Sequence, residues 1–442
     1  MITTFMPEPH LLDSVRGRDW PHYPRLHRAR AQRPPTHADV VIVGAGPAGL
    51  ALASALWHLD VPDVVLLDRA GVPAQRFFAR VDGLSQRVLR SPYDHHPGVE
   101  GYRDCELLDF ARLHWVRLSQ VERREIRMAQ AGHRSVVPVD VFEAFCEHVS
   151  AVHQVRQRTW RATVRDVRPE PGAVVVRTTD DTTVTARFAV LCLGEERRPV
   201  PADWWHGTPT DHVTYWDQPT PADAESVIVV GAGLTSAHLV TKAMDDGKRV
   251  QWVLRGEHER YQCSDVNASF FRAEGRARFD GGVPWDDRLS LMRRERRATV
   301  MFEFQPLLRA AEESGRLTVH RGQAVTGIAP GDGQPVAVLL DDGTRVRGDH
   351  VVLALGTTPS IGTGLLPADL VGGLDGWPDL DERTLAYRRA PRVFAVGAAA
   401  GMVLGPAARN IDGHRVATAR VAATIATTLT DDRVFGEESG YV

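Results

Sequence analysis

Two short stretches constrain the folding of this chain more than any other feature. "DVVIVGAGPAGL" occupies residues 39–50 and "SVIVVGAGLTSAH" residues 226–238. Each is an apolar β-branched run, then a glycine turn, then a helix-forming segment. A backbone approaches a dinucleotide pyrophosphate in this way: the first Gly makes the tight turn and the second admits the phosphates. The third allows close helix–strand packing, and the helix N-terminus faces the anion. Gly44, Gly46 and Gly49 fill these places in the first stretch, and Gly231, Gly233 and Ser236 in the second. Serine is small enough to keep the packing.

The residue ending the next strand meets the adenosine ribose. Asp68 stands 24 residues after Gly44, and Arg255 stands 24 residues after Gly231. A carboxylate accepts hydrogen bonds from ribose hydroxyls, whereas a guanidinium pairs with a 2′-phosphate. The first cradle therefore reads as a site for FAD and the second as a site for NADPH.

The chain of 442 residues is long enough for two or three domains. Hydrophobic residues make up 43% and charged residues 25%, and the net charge is −3. This balance suits a globular enzyme and gives no reason to expect a nucleic-acid partner. Cys105, Cys146, Cys192 and Cys263 are scattered, with no CxxC pair. That predicts neither a disulfide framework nor a metal site, and it suits a reducing cytoplasm. The apolar stretch from Val40 to Leu67 is broken by glycines, Pro47, His58, Asp60 and Asp63. It predicts a buried strand–helix–strand unit, not an integral membrane segment.

The second half repeats the plan of the first. A glycine turn and helix are followed by a β-hairpin with Asp-Asp at its bend, then an apolar strand ending at Gly194 or Gly356. A further strand, "PRVFAVG", ends at Gly397 and has no counterpart. The expected architecture is an α/β chain of two Rossmann-like dinucleotide-binding domains, one inserted in the other. Residues 1–36 form an N-terminal surface arm. Residues 37–200 and 346–442 form the FAD domain, and 222–345 the NADPH domain. In the loop "LRSPYDHH" (89–96), His95 and His96 are expected to point apart into solvent.

With both glycine motifs, the strands ending at Gly194 and Gly356, and "VFAVG" at 393–397, the chain resembles the flavoproteins with two dinucleotide-binding domains. Their fold is three-layered and glutathione-reductase-like, and the likeness runs from residue 37 to about 425. The disulfide reductases among them need a redox-active cysteine pair, which this sequence lacks. The NADPH-dependent flavin monooxygenases do not, and they include the lysine and ornithine N-hydroxylases. Many carry an aromatic–Gly–His–aromatic signature before the second glycine motif. "WWHGTPTDHVTYW" is similar, with Trp205, Gly207, His212 and Trp216 in those roles and one extra residue between Gly and His. "CSDVNASFF" is similar to their substrate segment, which implies Asn267 and Phe270 as substrate contacts. The lysine of their first domain has no counterpart here.

This resemblance implies a C4a-(hydro)peroxyflavin that oxygenates a small nucleophile with O2, most readily an amine by N-hydroxylation. It places Arg90 and Ser91 against the flavin ring and His212 at the flavin–nicotinamide junction. Relatives carry Asp after Gly397, where this chain has Ala398, so Asn410 is the candidate for the ribityl chain. A homo-oligomer is compatible with the resemblance. A reductase that passes electrons to a carrier protein or quinone would use the same two cradles, and a scaffold retaining only the fold is a third reading.

Overall fold

His37 to Val43 is too apolar for a surface and too β-branched to favour a helix. It forms β1 (His37–Val43) at the centre of an eight-stranded sheet. The computed structural model describes residues 9–21, 33–206, 210–279, 282–331, 333 and 335–438. After β1 come α1 (Pro47–His58), β2 (Val64–Asp68) and α2 (Gln75–Gly83), then α3 (Gln120–Gln130) and α4 (Val139–Val152). Next are β3 (Thr159–Arg161), β4 (Val164–Glu170), β5 (Ala173–Thr178) and β6 (Thr183–Leu191). Strand β1 lies between β2 and β6, parallel to both, and β3 extends the sheet beyond β2. Strands β4 and β5 make an antiparallel flap on β6.

The second unit begins with β7 (Val213–Tyr215), β8 (Ser226–Val230), α5 (Leu234–Asp245) and β9 (Arg249–Val253). It continues through α6 (Trp285–Glu295), α7 (Phe304–Glu313) and β10 (Leu317–His320). A meander of β11 (Val325–Pro330), β12 (Val336–Leu340) and β13 (Arg345–Gly348) leads to β14 (His350–Leu353). The parallel sheet runs β7–β14–β8–β9–β10. The chain then returns to the first sheet through β15 (Ala386–Tyr387) and β16 (Ala390–Ala395), and α8 (Ile411–Glu438) packs on α1.

Two parallel-sheet units, the second inserted in the first, are the architecture expected from sequence. The boundaries differ. β7 pairs with β14 in the second sheet, so that unit starts by residue 213 instead of 222. β14 itself lies between β7 and β8, so the return to the first sheet falls after Leu353 and not at 346. Both strands are short and sit beside a complete nucleotide motif, and only their pairing assigns them.

The expected surface arm is packed against the protein in its described part. Leu11 is buried with Val240, Met244 and Phe304 in the core of the second unit. Arg18 is paired with Glu122 and, at 3.3 Å, with Asp140. Asp140 also accepts hydrogen bonds from Gly17 N at 2.8 Å and Trp20 Nε1 at 2.9 Å. These carboxylates sit under protein and need partners, and residues 9–21 supply them. The segment is a strap from the first unit's helices to the second unit's core. Among the described residues, no helix is long and apolar enough to cross a membrane.

Two buried histidines set an acid limit. His238 lies edge-on to Phe304 and His350 accepts or donates at 2.8 Å to Thr214 Oγ1. Burial lowers each from 6.5 to about 4. Both stay neutral in the folded chain while the unfolded chain binds protons below pH 6.5, so their contribution is whole above that pH and shrinks as pH falls towards 4. Urea midpoints are expected to drop steadily from pH 6.5 to pH 4.5; a flat profile over that range would contradict this placement.

Candidate functional site

The glycine turns have the geometry their chemistry requires. A methyl group on Gly49 would meet the Gly44 carbonyl oxygen at 2.1 Å, so α1 can lie this close to β1 only without a side chain there. Gly231, at φ +144°, is equally confined, since a Cβ would lie 2.3 Å from Ala354 O. At the middle positions the opposite holds. A Cβ on Gly46 would meet nothing within 4 Å, and one on Gly233 only Ala298 at 3.7 Å. Gly46 and Gly233 are the N-caps of α1 and α5, and neither helix has a side-chain cap or an acidic residue in its first turn. The free N–H groups and the dipole are thus left for an anion.

Both turns open on one cleft of about 2170 Å³ between the units, at the carboxyl ends of both parallel sheets. A drug-sized ligand fills roughly 300–1,000 Å³, so there is room for two extended dinucleotides. Asp68 lines the cleft with its carboxylate fixed by Ala45 N at 2.9 Å and Ala70 N at 2.8 Å. Arg255 lines the other wall and is exposed. Among the described residues nothing is hydrogen-bonded to its guanidinium. His258, Arg260, Arg293 and Arg297 also line the cleft.

The structure brings together Gly44, Gly46, Asp68, Arg90, Ser91, Gly231, Gly233, Arg255 and Asn410 on this cleft. Gly49 and Ser236 lie behind it in their packing roles, Ser236 fully buried. Gly397, at φ +91°, lies behind Ala398, and a Cβ there would be 3.6 Å from His414 Nε2. Asn410 donates its amide to Asp265 Oδ1 at 2.8 Å and precedes the first turn of α8, whose Ile411 and His414 also line the cleft. Burial pulls the His414 imidazole down to about 4, so it is neutral at working pH.

Several expected residues are placed differently from the sequence reading. Arg90 reaches the cleft, but its guanidinium donates to the carbonyls of Gln262 at 2.7 Å and of Cys263 and Thr299 at 3.4 Å. It thereby clasps the two units. His212 is not on the cleft. It bonds to Asp349 O at 3.2 Å, at the amino end of β14 and opposite the ligand end of the sheet. Its signature partner Gly207 lies outside the described residues, whereas Trp216 does line the cleft, under the Arg80 guanidinium. Asn267 is exposed and caps the turn Ala268–Phe271 by accepting from Ser269 N at 3.0 Å. Phe270 is fully buried against Phe279. Neighbours of that segment, Ser264, Asp265, Val266 and Phe271, face the cleft instead. His95 and His96 point apart as expected, but both are buried: His95 on the cleft near Asp412, and His96 bonded to Glu106 at 3.0 Å.

Sequence reasoning missed Glu195. It follows Gly194, four residues past the end of β6, opens the short strand Glu195–Arg197 and lines the cleft. Its carboxylate accepts from Arg296 at 2.7 Å, Arg409 at 2.8 Å and Thr357 Oγ1 at 3.0 Å. Its place after Gly194 was a usable signal; its arginine partners, from two distant segments, carried none. All four cysteines are free thiols, and burial pushes Cys192, which lines the cleft, up to about 12. A thiol held protonated in this way is no redox nucleophile.

Comparison with known proteins agrees with this geometry. No curated protein sequence matches the chain significantly. Among solved structures, the reduced form of ornithine hydroxylase from Pseudomonas aeruginosa superposes with a TM-score of 0.70 at 17% identity, over 89% of this chain and 99% of that one. An ornithine N-hydroxylase from Kutzneria sp. 744, with reduced FAD, NADP+ and L-ornithine, gives the same TM-score, identity and coverage. The FAD-bound cadaverine monooxygenase of desferrioxamine biosynthesis from Erwinia amylovora gives 0.68 at 15% identity, over 88% of this chain and 95% of that one. At such identities the likeness establishes the fold. An FAD-NAD(P)-binding family model matches residues 284–358. The model for pyridine nucleotide-disulphide oxidoreductases matches residues 38–278, more than half the chain and both glycine turns, and the chain belongs to that family.

Proposed function

We propose that this protein is an FAD-dependent monooxygenase that draws electrons from NADPH and oxygenates a small nucleophilic substrate, by N-hydroxylation of an amine. The first unit holds FAD and the second NADPH. The observation that carries this reading is the pairing of Asp68 and Arg255 across one cleft that has no reactive thiol. A disulfide reductase would need a thiolate pair there, and the sole cysteine on the cleft is a buried, protonated thiol. The similar structures, two ornithine hydroxylases and a cadaverine monooxygenase, favour an amine substrate.

Bound FAD would supply the oxygen-activating redox chemistry and NADPH the reducing equivalents; the chain binds, orients and excludes water. Asp68 is held by two backbone N–H groups with lone pairs left for ribose hydroxyls. The open first turns of α1 and α5 take the pyrophosphates. Arg255 takes the 2′-phosphate. Neutral His414 and the amino end of α8 line the cleft and would help hold the first unit's cofactor. Asp265, fixed by Asn410, supplies a carboxylate to an incoming ammonium group.

Purified protein should carry FAD. Reduced anaerobically with NADPH and then mixed with oxygen and amine, it should pass through the C4a-(hydro)peroxyflavin spectrum in stopped flow. Prompt reoxidation with peroxide release, unchanged by any amine, would favour a reductase handing electrons to a carrier. Arg255→Gln is expected to lower kcat/KM for NADPH roughly ten- to a hundred-fold, the worth of a charge-assisted hydrogen bond of about 1.5–3 kcal/mol, and to spare NADH. An equal loss with both nucleotides would overturn the role given to Arg255.

A further inference from the structure

Three residues far apart in sequence meet on the helical side of the first unit, away from the cleft. His58 is the last residue of α1, His153 follows the last residue of α4, and Cys105 closes the turn Arg103–Cys105. The two Nε2 atoms are 2.9 Å apart, and Cys105 Sγ is 3.7 Å from His58 Nε2 and 3.6 Å from His153 Nε2. Cys105 and His153 are fully buried and His58 is partly exposed.

We propose that His58, Cys105 and His153 form a metal site of the His2Cys type, and that its metal is zinc. The distances support this. A tetrahedral zinc, with bonds of about 2.05 Å to nitrogen and about 2.3 Å to sulfur, sets its ligand atoms about 3.3 Å apart for N–N and about 3.6 Å for N–S. Both N–S distances fit, and the N–N distance is short by about 0.4 Å, within reach of a small turn of the half-exposed His58 ring. The tautomers can be brought into line. His153 Nδ1 donates to Val149 O at 2.8 Å, so its Nε2 accepts from His58 Nε2–H at 2.9 Å in the metal-free chain, and metal binding would shift the His58 proton to Nδ1 and turn both Nε2 lone pairs to the metal. Such a backbone partner is the usual outer support of a ligating histidine. Two helix C-termini, of α1 and α4, converge there with their negative ends towards a cation. The Tyr102 ring lies 3.9 Å from His58 and covers one side, while the partial exposure of His58 leaves a fourth position to water.

Binding would replace the Cys105 thiol proton with zinc and release that proton to solvent. Soft thiolate with imidazole favours zinc or copper over calcium or magnesium. The sequence hid this site because the three residues stand in no recognised spacing.

The test uses tag-free protein with its flavin. After equilibrium dialysis in micromolar zinc and gel filtration, elemental analysis is expected to give one zinc per chain. Cobalt(II) should replace it and produce four-coordinate d–d bands at wavelengths beyond flavin absorption. Cys105→Ala and His58→Gln should each lose the metal and the bands while keeping wild-type FAD content. His58 is partly exposed, so His58→Gln tests the site even where the cysteine variant fails to fold. Wild-type protein that retains no metal, or a His58→Gln variant that retains as much as wild type, would overturn the proposal. Copper in place of zinc at the same stoichiometry would overturn the metal assignment.

Discussion

The contact on which this molecule depends is the approach of helix to strand at each glycine turn. With a carbonyl oxygen 2.1 Å from where a Gly49 side chain would begin, α1 has no freedom to be set back from β1. The same crowding at Gly231 and Ser236 fixes α5 on β8. Once the helices are seated, their N-termini must emerge at the carboxyl ends of the strands. Asp68 ends β2 and Arg255 follows the end of β9 by two residues, so both stand there. The cleft is therefore a consequence of backbone packing, and the side chains only choose what it accepts.

The two walls are also held in register with each other. Arg90 gives its guanidinium to three carbonyls of the second unit, and Arg134 from the first forms a forked pair with buried Glu303 at 2.5 and 3.0 Å. Leu84, Val88 and Val136 of the first unit lie in the core of the second. At the double crossover, Glu195–Arg197 pairs with Thr357–Pro359, and Glu195 gathers Arg296 and Arg409 beside it. Buried ion pairs add little net stability, because desolvation offsets their attraction, but a missing partner is costly. Their consequence here is geometric: sliding one unit along the other would strand buried charges. Arg255, exposed on the cleft, takes no part in these clamps among the described residues.

The sequence made legible what is local and periodic. Both turns, the helix from Pro47 to His58, the strand to Asp68 and the strand before Gly397 follow from β-branched runs and glycine spacing. The cleft positions of Gly44, Gly46, Asp68, Gly231, Gly233 and Arg255 follow with them. Features that depend on pairing between distant segments were hidden. β7 and β14 are three and four residues long and gain identity only from each other. The residues 9–21 look like solvated polar chain until Asp140 and Glu122 are placed beneath them. Arg90 and His212 illustrate the limit in another way. A residue type suited to a cofactor sits near the right place in the chain, and competing partners, carbonyls for one and Asp349 for the other, claim its polar atoms.

The same geometry explains why the histidine–cysteine cluster sits where it does. α1 carries the pyrophosphate turn at its N-terminus and His58 at its C-terminus, 12 residues apart, and a helix of that length spans about 18 Å. That is too far for a metal at His58 to touch the reacting atoms. It is close enough to anchor the helix whose other end sets the phosphate position. α1 is nearly all small and aliphatic, packed between α8 and α4 with little side-chain hydrogen bonding of its own. The His58 cluster gives α1 directional bonds at its C-terminus, joining it to α4 and to the turn at Cys105, while glycine packing alone seats the pyrophosphate end.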